Sequence, residues 1–232
     1  FFVLKISLIA KVFHFLFQVS NLQKLKMTDF DVVQAKKFFY SKDIKSAYEM
    51  FIKSEDYLYE AGLCALLLKD EKTAKKLWKK SQNISPASGF GLCILDYIHL
   101  KTTKIPTFFQ TRAQLEIYIN LFIEHGLIEW AQNLVSCNEC FVEANPESYK
   151  FISRVLFANG YFKLAIHFCK KSLDMFFCDP EALLILSQCQ FLLGDLANSI
   201  DSVNKILRFV PEYYPAQVFR NILIEESNKK RK

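Results

Sequence analysis

Apolar residues recur at intervals of three and four throughout the chain. Leu115, Tyr118, Ile119, Phe122 and Ile123 precede Gly126, and Phe151, Ile152, Val155 and Leu156 precede Gly160, each set forming one stripe of an amphipathic helix. The stripes restart on a fixed beat. Gly126, Gly160 and Gly194 stand 34 residues apart, and five residues after each comes a small residue, in turn Ala131, Ala165 and Ser199. A period of that length predicts helical hairpins stacked into a solenoid, because one hairpin cannot bury its apolar face without neighbours.

The two repeated positions have different physical jobs. A chain that leaves one helix and enters an antiparallel second one needs a left-handed residue at the exit, which glycine adopts without steric cost. One turn into the second helix, a small side chain lets the two axes approach closely. The same phrase occurs earlier with the glycine replaced: Ser41-Lys42-Asp43 leads to Ala47, and Leu68-Lys69-Asp70 leads to Ala74. Asp43, Asp70 and Asp195 are then placed to cap the second helices. Five hairpins are predicted in all, with Thr28-Asp29 capping the first helix.

With those positions in register, the chain resembles the tetratricopeptide repeat (TPR) family over most of residues 28–225. In one unit Leu183, Leu186, Gly194, Ser199, Ile206 and Pro211 fall where the family has its large apolar, turn, small, apolar and terminal proline residues. In another, Leu63, Leu66, Leu67, Ala74, Trp78 and Pro86 repeat that order, with Gly62 as the close-packing residue of the first helix. The pattern also departs from the family. Ala47 and Ala74 are 27 residues apart, so the first second-helix must stop near Ser54. Between Ser88 and Thr111 the phase is lost, with an extra helix over 89–101 and a breaker, Thr102-Thr103-Lys104-Ile105-Pro106. The expected fold is all-α, a right-handed superhelical α-solenoid of TPR-like hairpins. Its segments are an apolar N-terminal stretch 1–26, repeats over 27–87, an irregular insertion 88–111, repeats with a closing helix from Tyr213 over 112–226, and a basic tail 227–232.

Composition agrees with an all-helical chain: 51% of the 232 residues are hydrophobic, and six glycines with six prolines leave little for long loops. The 23 phenylalanines fit the wide layers between solenoid helices. A net charge of +6 raises nucleic acid as a partner, but the lysines occur as scattered pairs such as Lys75-Lys76 and Lys79-Lys80 within helix patterns, without a glycine-rich loop or aromatic platform. They read as solvated faces, and no nucleic-acid partner is expected.

Seven cysteines, an odd number, point to a reducing compartment rather than a disulfide framework. Cys137 and Cys140 have the spacing of a metal hairpin, yet four ligands are needed and only His167 and Cys178 stand as distant candidates, so no metal or other cofactor is expected. His14, His99, His125 and His167 lie far apart in the sequence, and Gly89-Phe90-Gly91 lacks the lysine and hydroxyl of a phosphate loop. No catalytic constellation or small-molecule substrate is legible.

Residues 1–19 are strongly apolar but contain Lys5, Lys11, His14 and Gln18. A central lysine costs about 3 kcal/mol on insertion scales and each good apolar residue returns about 0.3–0.6, so membrane insertion is balanced near zero. Two readings stay open. Residues 1–26 are upstream read-through before a start at Met27, giving a cytoplasmic protein, or they anchor the solenoid to a membrane.

The resemblance implies a non-enzymatic scaffold or adaptor that takes a peptide or helix of a partner protein in the groove lined by the first helix of each repeat. The positions ten and six residues before each turn glycine point into that groove: Glu116 and Asn120, Lys150 and Arg154, Leu184 and Gln188. Lys150 and Arg154 suit an acidic or carboxylate-bearing ligand, or else pair with Glu116 and Glu147. Reversing both charges is expected to leave melting almost unchanged. The alternative function is that of a membrane-tethered assembly factor held by residues 1–19.

Overall fold

The structure, a computed structural model, describes residues 27–101 and 105–229. The N-terminal apolar stretch, Thr102-Thr103-Lys104 of the breaker and the last three residues of the basic tail lie outside the described residues. Helices and turns make up the described chain, which is all-α. It forms two compact units. One holds described residues 27–101 with 121–134, and the other 105–120 with 135–229.

In the first unit, α1 (Asp29–Tyr40) pairs with α2 (Ile44–Phe51), α3 (Leu58–Leu67) with α4 (Glu71–Ser81), and α5 (Pro86–Tyr97) packs on α3 and α4. Thr28 starts α1 through a capping box, its hydroxyl accepting from the Asp31 N–H at 3.2 Å while the Asp31 carboxylate accepts from the Thr28 N–H at 3.3 Å. Asp43 and Asp70 cap α2 and α4, accepting from Ser46 N and Thr73 N at 3.2 and 3.0 Å. The shortened first repeat has a local cause. Helix α2 ends at Phe51, and Ser54 begins a single 3₁₀ turn, Glu55–Tyr57, that leads straight into α3.

The core of this unit is organised around Trp78, which is fully buried. Its indole N–H donates to the Tyr59 carbonyl at 3.0 Å, and the Tyr59 ring stacks on it with centroids 6.3 Å apart. The indole lies against two glycines. A methyl group added at Gly62 would come within 2.3 Å of its Nε1, and one at Gly91 within 2.6 Å of its Cδ2.

A helical run from Phe108 to Glu124 follows, made of α6 (Phe108–Ala113), a π-turn (Gln114–Tyr118) and α7 (Ile119–Glu124). After Gly126 comes α8 (Ile128–Glu139). The second unit takes α6 and the π-turn from this run and continues with α9 (Ser148–Ala158), α10 (Phe162–Met175), α11 (Pro180–Leu192), α12 (Leu196–Phe209) and α13 (Tyr214–Lys229). Neighbouring helices pack in sequence order from α9 to α13. Their last core layer consists of Leu183, Val203, Ile206, Ala216 and Leu223, so α13 covers the α11/α12 hairpin and leaves its other faces exposed.

The hairpin turns share one backbone solution. Lys42, Lys69, Gly126, Gly160 and Gly194 have φ of 66°, 65°, 71°, 82° and 85°. At each, the following N–H reaches back five residues to a carbonyl of the preceding helix, as from Asp43 to Phe38 at 2.9 Å and from Asp195 to Gln190 at 2.9 Å. Leu100 adds a case within the stretch expected to be out of phase: its φ is 55°, and Lys101 N–H bonds to the Asp96 carbonyl at 2.8 Å. The expected extra helix over 89–101 corresponds to α5, and the left-handed turn recurs at Leu100, 31 residues after Lys69 rather than 34. The small residues Ala47, Ala74, Ala131, Ala165 and Ser199 are all buried. At Ser199 the approach is close enough for its hydroxyl to donate to the Ser187 carbonyl at 2.9 Å, while the Ser187 hydroxyl donates to the Ser199 carbonyl at 2.7 Å.

Candidate partner-binding face

The first helices of the hairpins in the second unit lie side by side, with α9 against α6 and the π-turn on one flank and against α11 on the other. A helix with neighbours on both sides and its own second helix behind it has one face left for polar groups. On α9 that face carries Lys150 and Arg154, four residues apart. Each finds carboxylates on the helices beside it.

Arg154 bridges two neighbours, one guanidinium nitrogen donating to Glu116 in the π-turn and another to Glu181 at the start of α11. Arg112, one turn before Glu116, donates to the second oxygen of the same carboxylate at 2.7 Å. Lys150 donates to Asp179 at 2.9 Å and has Glu147 at 3.4 Å and Glu181 at 3.9 Å. Asp179 is held in turn by the helix it begins: its other oxygen accepts from Glu181 N and Ala182 N at 2.9 and 3.0 Å. Beneath the network the Phe151 ring is buried, with the Arg112 and Arg154 guanidinium carbons 5.8 and 5.6 Å from its centre.

This arrangement determines the electrostatics. Burial disfavours the Lys150 ammonium, but Asp179, with Glu147 and Glu181 behind it, outweighs that effect and holds its pKa above the ordinary lysine value. The hydrogen bond that Arg112 donates to Glu116 likewise raises the Arg112 pKa. The Tyr213 phenol is pushed up by burial first, then by Glu181 and Asp179, with Arg154 and Lys150 pulling the other way. Three cations, Arg112, Lys150 and Arg154, face four carboxylates, Glu116, Glu147, Asp179 and Glu181. The strip is therefore a closed ion-pair set with an acidic excess, and Lys150 and Arg154 already have partners.

The sequence-derived residues fall into three groups. Glu116, Lys150 and Arg154 meet in this network. Asn120 stands apart, its carbonyl accepting from the Asn159 amide at 2.9 Å. Leu184 packs against the α11–α13 core layer, and Gln188 is half-buried on the same helix. Sequence reasoning missed Arg112, Asp179 and Glu181. Asp179-Pro180-Glu181 was readable as a helix start, since aspartate caps and proline suits the first position. Arg112 carried no signal, because the π-turn between it and the repeat glycine breaks the spacing rule.

Other candidate chemistry is dispersed. Cys137 is buried, and Cys140 is exposed with its thiol donating to the Ser136 carbonyl at 3.4 Å. Burial raises the Cys137 thiol, with Cys140 adding to the shift. Among the described residues no three His, Cys, Asp or Glu side chains converge to hold a metal ion, and no helix is long and apolar enough to cross a membrane.

No family model and no curated protein matches this sequence. Among solved structures, the chain is similar to the C-terminal part of a TPR repeat-containing protein from Cytophaga hutchinsonii, with 17% identity and a TM-score of 0.45 over 86% of this chain and 72% of that one. It is also similar to the TPR domain of P58(IPK), with 14% identity and a TM-score of 0.38 over 87% of this chain and 66% of that one.

Proposed function

We propose that the chain is a non-enzymatic interaction module that receives a peptide or helix of a partner protein on the face formed by α6, the π-turn, α9 and α11. The observation that carries this reading is the charged network itself: charges concentrate where consecutive first helices present equivalent positions. Arg112, Glu147 and Glu181 are its solvent-facing ends, with side chains 52%, 40% and 40% exposed. A ligand bearing both signs of charge can exchange with these ends while Arg154, Lys150 and Asp179 stay paired. A ligand offering only a carboxylate must first compete with four carboxylates in place, which favours mixed-charge or basic segments.

A photo-crosslinking side chain at Arg112 or Gln188 tests the reading, with Lys163 and Lys170 on the outer side of α10 as controls. Adducts to a discrete partner from Arg112 and Gln188 are expected. Adducts arising only from the α10 positions would move the interaction to the other side of the hairpin. A cytoplasmic setting accompanies this reading. The membrane-tethered alternative rests on residues 1–19, outside the described residues.

A further inference from the structure

Helix α4 carries a second, separate feature. Its buried side is Ala74, Leu77, Trp78 and Ser81, and the opposite side is Lys72, Lys75, Lys76 and Lys79, all exposed. Their spacing of three, four and seven puts these lysines on one stripe. The acidic and basic groups on the flanks are engaged elsewhere: Glu71 meets the His99 ring at 2.6 Å, and Lys80 meets Glu55 at 2.7 Å. The four central lysines form no ion pair among the described residues. The exposed Leu68 and Ile84 stand in the turns before and after the helix.

We infer that this lysine face docks on an anionic lipid surface. Four like charges held together on a rigid helix repel one another; Asp70 at the helix start offsets part of that at Lys72, salt screens more of it, and a dense external polyanion lowers it further. The choice of lysine narrows the polyanion. Residues 27–101 contain no arginine, and an ammonium is a compact, hydrated point charge without the planar fork that matches single phosphates or carboxylates. Such a face responds to charge density rather than to the shape of one group. No aromatic ring on α4 is available for base stacking, since Trp78 is buried and bonded to Tyr59. Clusters of four or more lysines on an amphipathic helix are one arrangement that holds proteins to anionic leaflets. The apolar residues 1–19 precede this unit in the sequence, and a marginal apolar segment holds a membrane stably only when a second signal joins it.

Flotation of the full chain with phosphatidylcholine vesicles, with and without 30% phosphatidylserine, tests the inference. The expected result is partitioning that strengthens with phosphatidylserine, weakens as salt rises, and falls about a thousandfold in the variant Lys72→Gln/Lys75→Gln/Lys76→Gln/Lys79→Gln. A control with the same loss of charge, Lys163→Gln/Lys170→Gln/Arg208→Gln/Arg220→Gln, should retain the dependence on phosphatidylserine. Equal losses in the two variants, no effect of phosphatidylserine, or tighter binding of a single-stranded oligonucleotide than of the anionic vesicles would each overturn it. Circular dichroism of both variants ensures that folded chains are compared.

Discussion

Glu60 is a carboxylate in the wrong solvent. It lies on α3 with only 8% of its surface exposed, and burial lifts its pKa to about 7 against the opposing pull of the Lys36 ammonium. The unfolded chain holds a glutamate near 4.3, so between those values the folded state binds more protons than the unfolded one. Stability should therefore fall as pH rises from about 4.3 to about 7, and Glu60→Gln should flatten that part of the profile. The gain at pH 8 should be about 1–3 kcal/mol, read from urea midpoints. An unchanged pH slope would mean that the carboxyl is solvated. Trp78 sets a second residue-scale constraint. Gly62→Ala and Gly91→Ala each drive a methyl into the indole and should destabilise by about 1–3 kcal/mol. Gly89→Ala, on the same helix as Gly91 but with no atom within 4 Å of the added carbon, should be neutral or stabilising by up to about 1 kcal/mol.

At the scale of elements, the turns explain both what was legible and what was missed. Gly126, Gly160 and Gly194 show the left-handed position because glycine is cheap there, and Asp43 and Asp70 reveal the glycine-less turns through their caps. Leu100 has neither sign: it is not a glycine, and Lys101 rather than an aspartate follows it. Its backbone strain makes a direct prediction. Leu100→Gly should stabilise by about 1 kcal/mol, whereas the same change at exposed Leu164, inside α10, should destabilise by about 1 kcal/mol. Thermal melts of the pair compare them, and destabilisation by Leu100→Gly would show that the side chain has a packing role outweighing the strain. The π-turn is the other element that periodicity misread. The single extra residue that the π-turn inserts between Gln114 and Tyr118 shifts the register before it, so counting back from Gly126 reached Glu116 and Asn120 but gave no sign that Arg112 joins the first of them.

For the molecule as a whole, the ion-pair network changes what a charge reversal does. The sequence alone suggested that Lys150→Glu with Arg154→Glu would leave melting almost unchanged. With side chains only 11% and 20% exposed, both cations are enclosed by Glu116, Glu147, Asp179 and Glu181, and the reversal would place six carboxylates together. A loss of about 2–4 kcal/mol is expected, partly recovered in high salt or below pH 5. By contrast, Lys80→Gln breaks an exposed pair with Glu55 and should cost less than about 1 kcal/mol. Equal effects from the two changes would show that the α9 network is as solvated as an ordinary surface pair.

The sequence by itself determined the helical hairpins, their small crossing residues, most of their turns and the aspartate caps. These are local consequences of backbone geometry and of apolar spacing within one hairpin, so they repeat wherever the same residue types recur. Only the tertiary structure decided that Lys150 and Arg154 are already paired, because their carboxylates come from helices on either side and are separated from Arg154 by 38 residues on one flank and 27 on the other. It also decided which lysines of α4 form no ion pair among the described residues, since acids brought near in the fold pair with some cations and leave others. Periodicity records which face of a helix is buried. The charge that a polar face meets depends on helices distant in the chain, and no local pattern encodes it.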